Sequence, residues 1–188
     1  MTTIIPSCAI LLAGLLALPG TQATAADTIT TTTTTKAAEN VSNGSLEKWD
    51  ARFLRKAALC NLGAISMSEM ALKRNLPADD RAFAEKMISE HKAARGELET
   101  LAKSKGVSVP TALNEDLQKK GQELGAKKDK DFPEAYMECQ IDAHDDAVDL
   151  FDDASDDAKD ADVRAFAVKM LPTLKSHLAE AKQLEKKY

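Results

Sequence analysis

Apolar residues return at steps of three and four along four stretches of this chain, the spacing that lines one face of an α-helix. The first stripe is Phe53, Ala57, Cys60, Ala64, Met67 and Ala71. The second runs Phe83, Met87, His91, Ala94, Leu98, Leu101, and the third Met137, Ile141, His144, Val148, Phe151. The fourth is Phe166, Met170, Leu174, His177, Ala181, Leu184. Breakers and caps bound these patterns. Helix one is expected from near Ser45 to near Asn75, before Pro77. Helix two is expected from a cap at Asp79 or Asp80 to about Lys105, with Gly106 as its terminating glycine. Asp131 and Pro133 open helix three, which runs to about Asp157. Helix four starts near Asp160 or Asp162, continues almost to the C-terminus and carries Pro172, which should bend it. Residues 106–132 form a connection with one short helix, whose first turn suits Pro110 and which Gly121 and Gly125 weaken.

A repeat organises the pattern further. Arg81-Ala82-Phe83-Ala84-Glu85-Lys86-Met87 returns as Arg164-Ala165-Phe166-Ala167-Val168-Lys169-Met170, six of seven positions identical. Each copy opens the second helix of a pair after an acidic turn. Two helical hairpins joined by a long connection describe an all-α, ferritin-like four-helix bundle with one crossover.

The front of the chain reads differently. Residues 1–26 contain no Asp, Glu, Lys or Arg, and Ala9–Leu18 is an apolar run followed by Pro19, Gly20 and Ala23-Thr24-Ala25. That arrangement predicts a secretory signal peptide over residues 1–25, too short to span a bilayer. Cys8 precedes the apolar run, which disfavours a lipidated cysteine. Residues 26–45, with six consecutive threonines, read as a disordered linker, leaving residues 46–188 as the folded domain. The expected location is therefore exported, periplasmic or associated with the outer membrane, with no membrane-spanning segment in the mature chain.

Composition supports a helical protein: aromatics are 4% of the chain and charged residues 29%. A net charge of −5 argues against nucleic acid and gives no support to binding an anionic membrane. A homo-oligomer stays open. After export Cys60 and Cys139 remain. An oxidising compartment invites a disulfide between them, but two small buried hydrophobes is the favoured reading.

Residues 53–180 resemble the bacterial ferritin-like family termed domain of unknown function 4142. The resemblance is carried by Phe53-Leu54-Arg55-Lys56-Ala57-Ala58, by Arg81-Ala82-Phe83-Ala84 with Met87 and His91, and by Lys105-Gly106-Val107 with Pro110-Thr111. Ala135-Tyr136-Met137 with His144, and Leu171-Pro172-Thr173-Leu174 with His177, complete it. It implies the bundle fold and an exported location but brings no activity. Acidic positions of the family pattern are Ala64, Ser66 and Ala143 here, so that Glu90, beside His91, is the carboxylate that remains.

The candidate chemistry lies in the histidines. The chain has three, His91, His144 and His177, each near the middle of a different helix and on its apolar stripe. Packed side by side they could meet at one level of the bundle and hold a transition metal such as zinc, copper or iron, with Cys60 and Glu90 as further candidate ligands. The bland alternative is that each imidazole is a packing residue hydrogen-bonded to a neighbour. A di-iron centre would need a glutamate three residues before each histidine of its pair, where this chain has Ile88, Ile141 and Leu174. The acidic ladder Asp142, Asp145, Asp146, Asp149, Asp152, Asp153, Asp156 and Asp157 lacks the glycine turn and terminal glutamate of a calcium loop and reads as a wet face. There is no nucleophile–base pair, glycine-rich phosphate loop or CxxC motif. The favoured function is thus an exported, non-catalytic envelope protein, with a stress-related role and a metal ion between the three histidines. The alternatives are a structural or interaction module with packed histidines and a ferritin-related redox metalloenzyme.

Overall fold

α1 (Lys48–Ala71) and α2 (Ala78–Ser104) form one hairpin, α4 (Phe132–Asp157) and α5 (Ala161–Glu185) the other, and α3 (Glu115–Gly125) lies in the connection between them. The structure, a computed structural model, describes residues 46–188. The signal peptide expected over residues 1–25 and the linker expected over residues 26–45 lie outside the described residues. No helix among the described residues is long and apolar enough to cross a membrane.

α1 lies beside both α2 and α4, and α5 beside both α4 and α2, so the four long helices close a ring. Named pairs fix their directions. At one end Asp50, near the start of α1, accepts the backbone N–H of Lys159 and Asp160 beyond the end of α4, the latter at 2.7 Å. At the other end Ser68 of α1 hydrogen-bonds Tyr136 near the start of α4 at 2.8 Å. Lys105 after α2 pairs with Asp160 and Asp162 at the start of α5 at 2.8 and 2.6 Å, and Lys187 after α5 pairs with Asp79 at the start of α2 at 2.7 Å. Every neighbouring pair is therefore antiparallel, and the connection from α2 to α4 must travel the length of the bundle. This is the ferritin-like crossover arrangement.

Local chemistry explains most of the boundaries. α2 stops where Gly106 takes φ +67°, with Val107 N–H bonded to Ala102 O at 2.8 Å and Gly106 N–H to Lys103 O at 3.1 Å. That is the paired 6→1 and 5→2 bonding of a Schellman ending. α5 opens on Asp160, whose carboxylate accepts from Asp162 and Val163 N–H. α5 runs unbroken through Pro172. Four boundaries differ from expectation. α1 starts at Lys48 with Glu47 at its cap position, not near Ser45. α1 ends at Ala71, and residues 72–74 turn. Pro77 occupies the cap position of α2, which pushes Asp79 and Asp80 into the first turn, where they still favour the positive end of the helix dipole. α3 begins at Glu115 behind the Asn114 side-chain cap, so Pro110 belongs to the preceding loop. The Gly121 that should weaken α3 is buried against Met67, whose methyl carbon lies 3.3 Å from where a Cβ would sit.

The repeated Arg81 and Arg164 clasp their own hairpin turns: Arg81 donates to the carbonyls of Leu72 and Arg74, and Arg164 to that of Ala158. Inside the ring the apolar core divides in two. One part gathers Phe53, Leu54, Leu98, Phe151, Phe166 and Leu174, the other Met67, Phe83, Met87, Tyr136, Met137 and Ala181. Between them every long helix contributes a buried polar residue: Asn61, His91, His144 and His177. The asparagine and three histidines make a polar layer across the middle of an apolar bundle.

Candidate metal centre

The three imidazoles are 5%, 2% and 1% exposed for His91, His144 and His177 respectively. Their ring centroids stand 5.3 to 5.5 Å apart in all three pairings. One ring nitrogen from each lies within 4.8 Å of one from each of the others.

Hydrogen bonding fixes which nitrogen of each ring carries the proton. Asn61 Nδ2 donates to Ala57 O at 3.0 Å, which orients its amide and turns Oδ1 toward His91 Nδ1 at 2.9 Å. Flipping the amide would set two oxygens against each other, so Oδ1 accepts and His91 Nδ1 is the N–H. His144 Nδ1 faces the backbone carbonyl of Gln140 at 2.8 Å and must also donate. His91 Nε2 and His144 Nε2 are then both bare lone pairs, yet they face each other at 3.3 Å. His177 is turned the other way: its Nε2 meets the Glu90 carboxylate at 2.7 Å, and its buried Nδ1 has no hydrogen-bond partner.

The layer thus presents three acceptor nitrogens and, among the described residues, no donor for them. Burial makes that conflict costly, because a protonated ring would need to hold charge in an apolar interior. The His91 pKa is lowered to about 3, first by burial and then by the neighbouring imidazoles of His144 and His177. His144 is lowered to about 4 by burial, with the Gln140 carbonyl pulling the other way. His177 is also lowered, its burial outweighing the opposing pull of Glu90. His91 and His144 are therefore neutral at pH 7, and burial pushes His177 in the same direction. A divalent ion would resolve the arrangement: two nitrogens each ~2.0–2.1 Å from a tetrahedral zinc are about 3.3–3.4 Å apart, and the facing Nε2 atoms stand 3.3 Å apart.

The outer nitrogen of each ring is held by a different acceptor: an amide oxygen, a backbone carbonyl and a carboxylate. Such partners orient imidazole ligands and make them more basic. Glu90 therefore lies behind His177, with its Oε2 engaged by that ring. Cys60 is not brought into the group. It lines a separate cleft of about 470 Å³ between α1, α3 and α4, which Cys139 also lines. Both cysteines are free and half-buried, and burial raises the Cys60 thiol to about 11. The stripe placed Cys60 at the right level of α1, but the next residue, Asn61, is the one that turns inward. Sequence reasoning missed Asn61 and the Gln140 carbonyl. A lone amide inside Leu59-Cys60-Asn61-Leu62 was the available signal for the first, whereas a backbone carbonyl leaves none. The acidic ladder of α4 is exposed along its whole length.

Solved structures share the fold. A DUF305 fragment from Deinococcus radiodurans superposes with a TM-score of 0.68 at 12% identity, covering 77% of this chain and 100% of that one. A conserved hypothetical protein from Mycobacterium tuberculosis superposes with a TM-score of 0.59 at 15% identity, covering 72% of this chain and 96% of that one. At these identities the likeness shows the fold alone. No curated protein matches the sequence. Residues 31–184 match the family described as "Domain of unknown function (DUF4142)", and the chain belongs to that family.

Proposed function

We propose that this chain is an exported, non-catalytic bundle protein that holds one transition-metal ion between His91, His144 and His177. The observation that carries the reading is the pair of bare Nε2 atoms 3.3 Å apart, with the partnerless Nδ1 of His177 beside them. The described residues alone leave those three acceptors unsatisfied. An all-imidazole donor set suits zinc or copper. Iron is the poorer fit, since no carboxylate joins the group. Export rests on the apolar run Ala9–Leu18 and the Ala23-Thr24-Ala25 site.

The test is metal content after loading with zinc and exhaustive dialysis. One ion per chain is expected in the wild type and in Cys60→Ser. A His91→Leu, His144→Leu, His177→Leu variant, which keeps the interior filled, is expected to bind none. Zinc retained by that triple variant, or lost by Cys60→Ser, would contradict the assignment. Cell fractionation with N-terminal sequencing tests export, with a mature chain starting at Ala26 as the expected result.

A further inference from the structure

Three protein donors leave a four-coordinate ion one ligand short. Among the described residues no fourth His, Cys, Asp or Glu joins the group. Glu90 Oε2 is held by His177 Nε2, and Cys60 lines the separate cleft between α1, α3 and α4.

A second observation says where a fourth ligand could come from. A cavity of about 200 Å³ reaches inward between α2 and α5, and residues of all four long helices line it. His177, Asn61 and Phe151 are among its lining residues, so it arrives at the level of the polar layer. Its walls include Leu174, Phe166 and Met170, and its polar lining groups include Glu90, Glu97 and Thr173. At ~30 Å³ per water that is room for roughly six waters, or for one small ligand. A closed structural metal site draws all its donors from the protein; this layer is one donor short, and the cavity reaches two of its members, His177 and Asn61.

We propose that the ion held by His91, His144 and His177 keeps an exchangeable fourth position, open to a small monodentate ligand such as water, hydroxide or an inorganic anion, reached through the cavity between α2 and α5. The inference rests on the metal reading above and adds to it the accessibility of the bound ion. Water is the resting occupant, and a stronger donor of similar size displaces it.

The experiment uses the full chain loaded with cobalt(II), whose visible bands report coordination, titrated with sodium azide. Expected are one cobalt per chain and a saturable change of the visible bands. In Ala94→Leu, which narrows the cavity from α2 and leaves all three histidines in the sequence, cobalt should still bind one to one. The azide response should weaken at least tenfold. Full cobalt loading with no spectral change up to high azide overturns the open position and leaves the metal reading standing. An unaltered azide response in loaded Ala94→Leu overturns the route. Failure of the wild type to bind cobalt, zinc or copper overturns both. Should Ala94→Leu not fold, the wild-type titration alone still decides the open position. A Met170→Leu variant that gains an azide response absent from the wild type also overturns the proposal, because it would show the methionine sulfur already filling that place.

Discussion

Each imidazole of the layer owes its proton position to one acceptor behind it, and that makes the acceptors testable. Replacing Asn61 by Ala removes the amide oxygen that holds His91 Nδ1. Glu90→Gln weakens the basic partner of His177. Changes to such outer partners typically cost 10–100-fold in metal affinity, and each variant should show a loss of that size by competition titration while still binding one ion. A loss below threefold for both would mean the rings are held by packing alone. At this scale the sequence was only partly legible. The three histidines announced themselves by falling on three stripes. Cys60 misled because a helical stripe resolves a face to about one residue, and one residue separates a thiol in a cleft from the Asn61 amide that supports the site.

At the scale of elements, turn and cap chemistry decides where helices stop. Gly106 at φ +67° is the clearest instance. Gly106→Ala places a Cβ in a left-handed conformation and should lower stability by about 1 kcal/mol by urea titration. The hairpin ends were legible for the same reason, since Gly106, Asp160 and the repeated Arg-Ala-Phe-Ala are local signals. The start of α3 was not. Pro110 is a permissible first-turn residue, and only the capping hydrogen bond from Leu117 N–H to Asn114 Oδ1 identifies the actual start. Asp50 likewise gives no sign in sequence that it is fully buried and holds the α4–α5 turn 109 residues away. Asp50→Ala should cost about 2–3 kcal/mol, since it strips two backbone N–H groups of a charged acceptor.

For the whole molecule, the polar layer interrupts an otherwise continuous core, and pH exposes the consequence. The folded-state pKa values of His91 and His144, about 3 and 4, lie below the ordinary histidine value of 6.5. The unfolded chain therefore binds more protons than the native one between about pH 6.5 and 4. Stability is full above that window and falls as pH drops through it, by up to about 1.4 kcal/mol per pH unit for each such ring. Urea midpoints of the metal-free protein should decline steeply from pH 7 to pH 5. The triple leucine variant should lose most of that slope and, with its lone-pair conflict removed, be no less stable than the metal-free wild type at pH 7. Equal pH slopes in the two proteins would show that the rings are accessible to protons. Bundle topology was readable in advance because four stripes, one repeat and one long connection leave few arrangements. The division of the core into two apolar parts was not, since it depends on side chains from separate helices meeting at one height.

X-ray absorption at the zinc edge of the loaded protein examines the facing nitrogens most directly. Three imidazole nitrogens at ~2.0–2.1 Å with one further light-atom ligand and no sulfur is the result expected here. A sulfur shell near ~2.3 Å, which would bring Cys60 or Cys139 to the ion, or a shell without imidazole scattering, would contradict it.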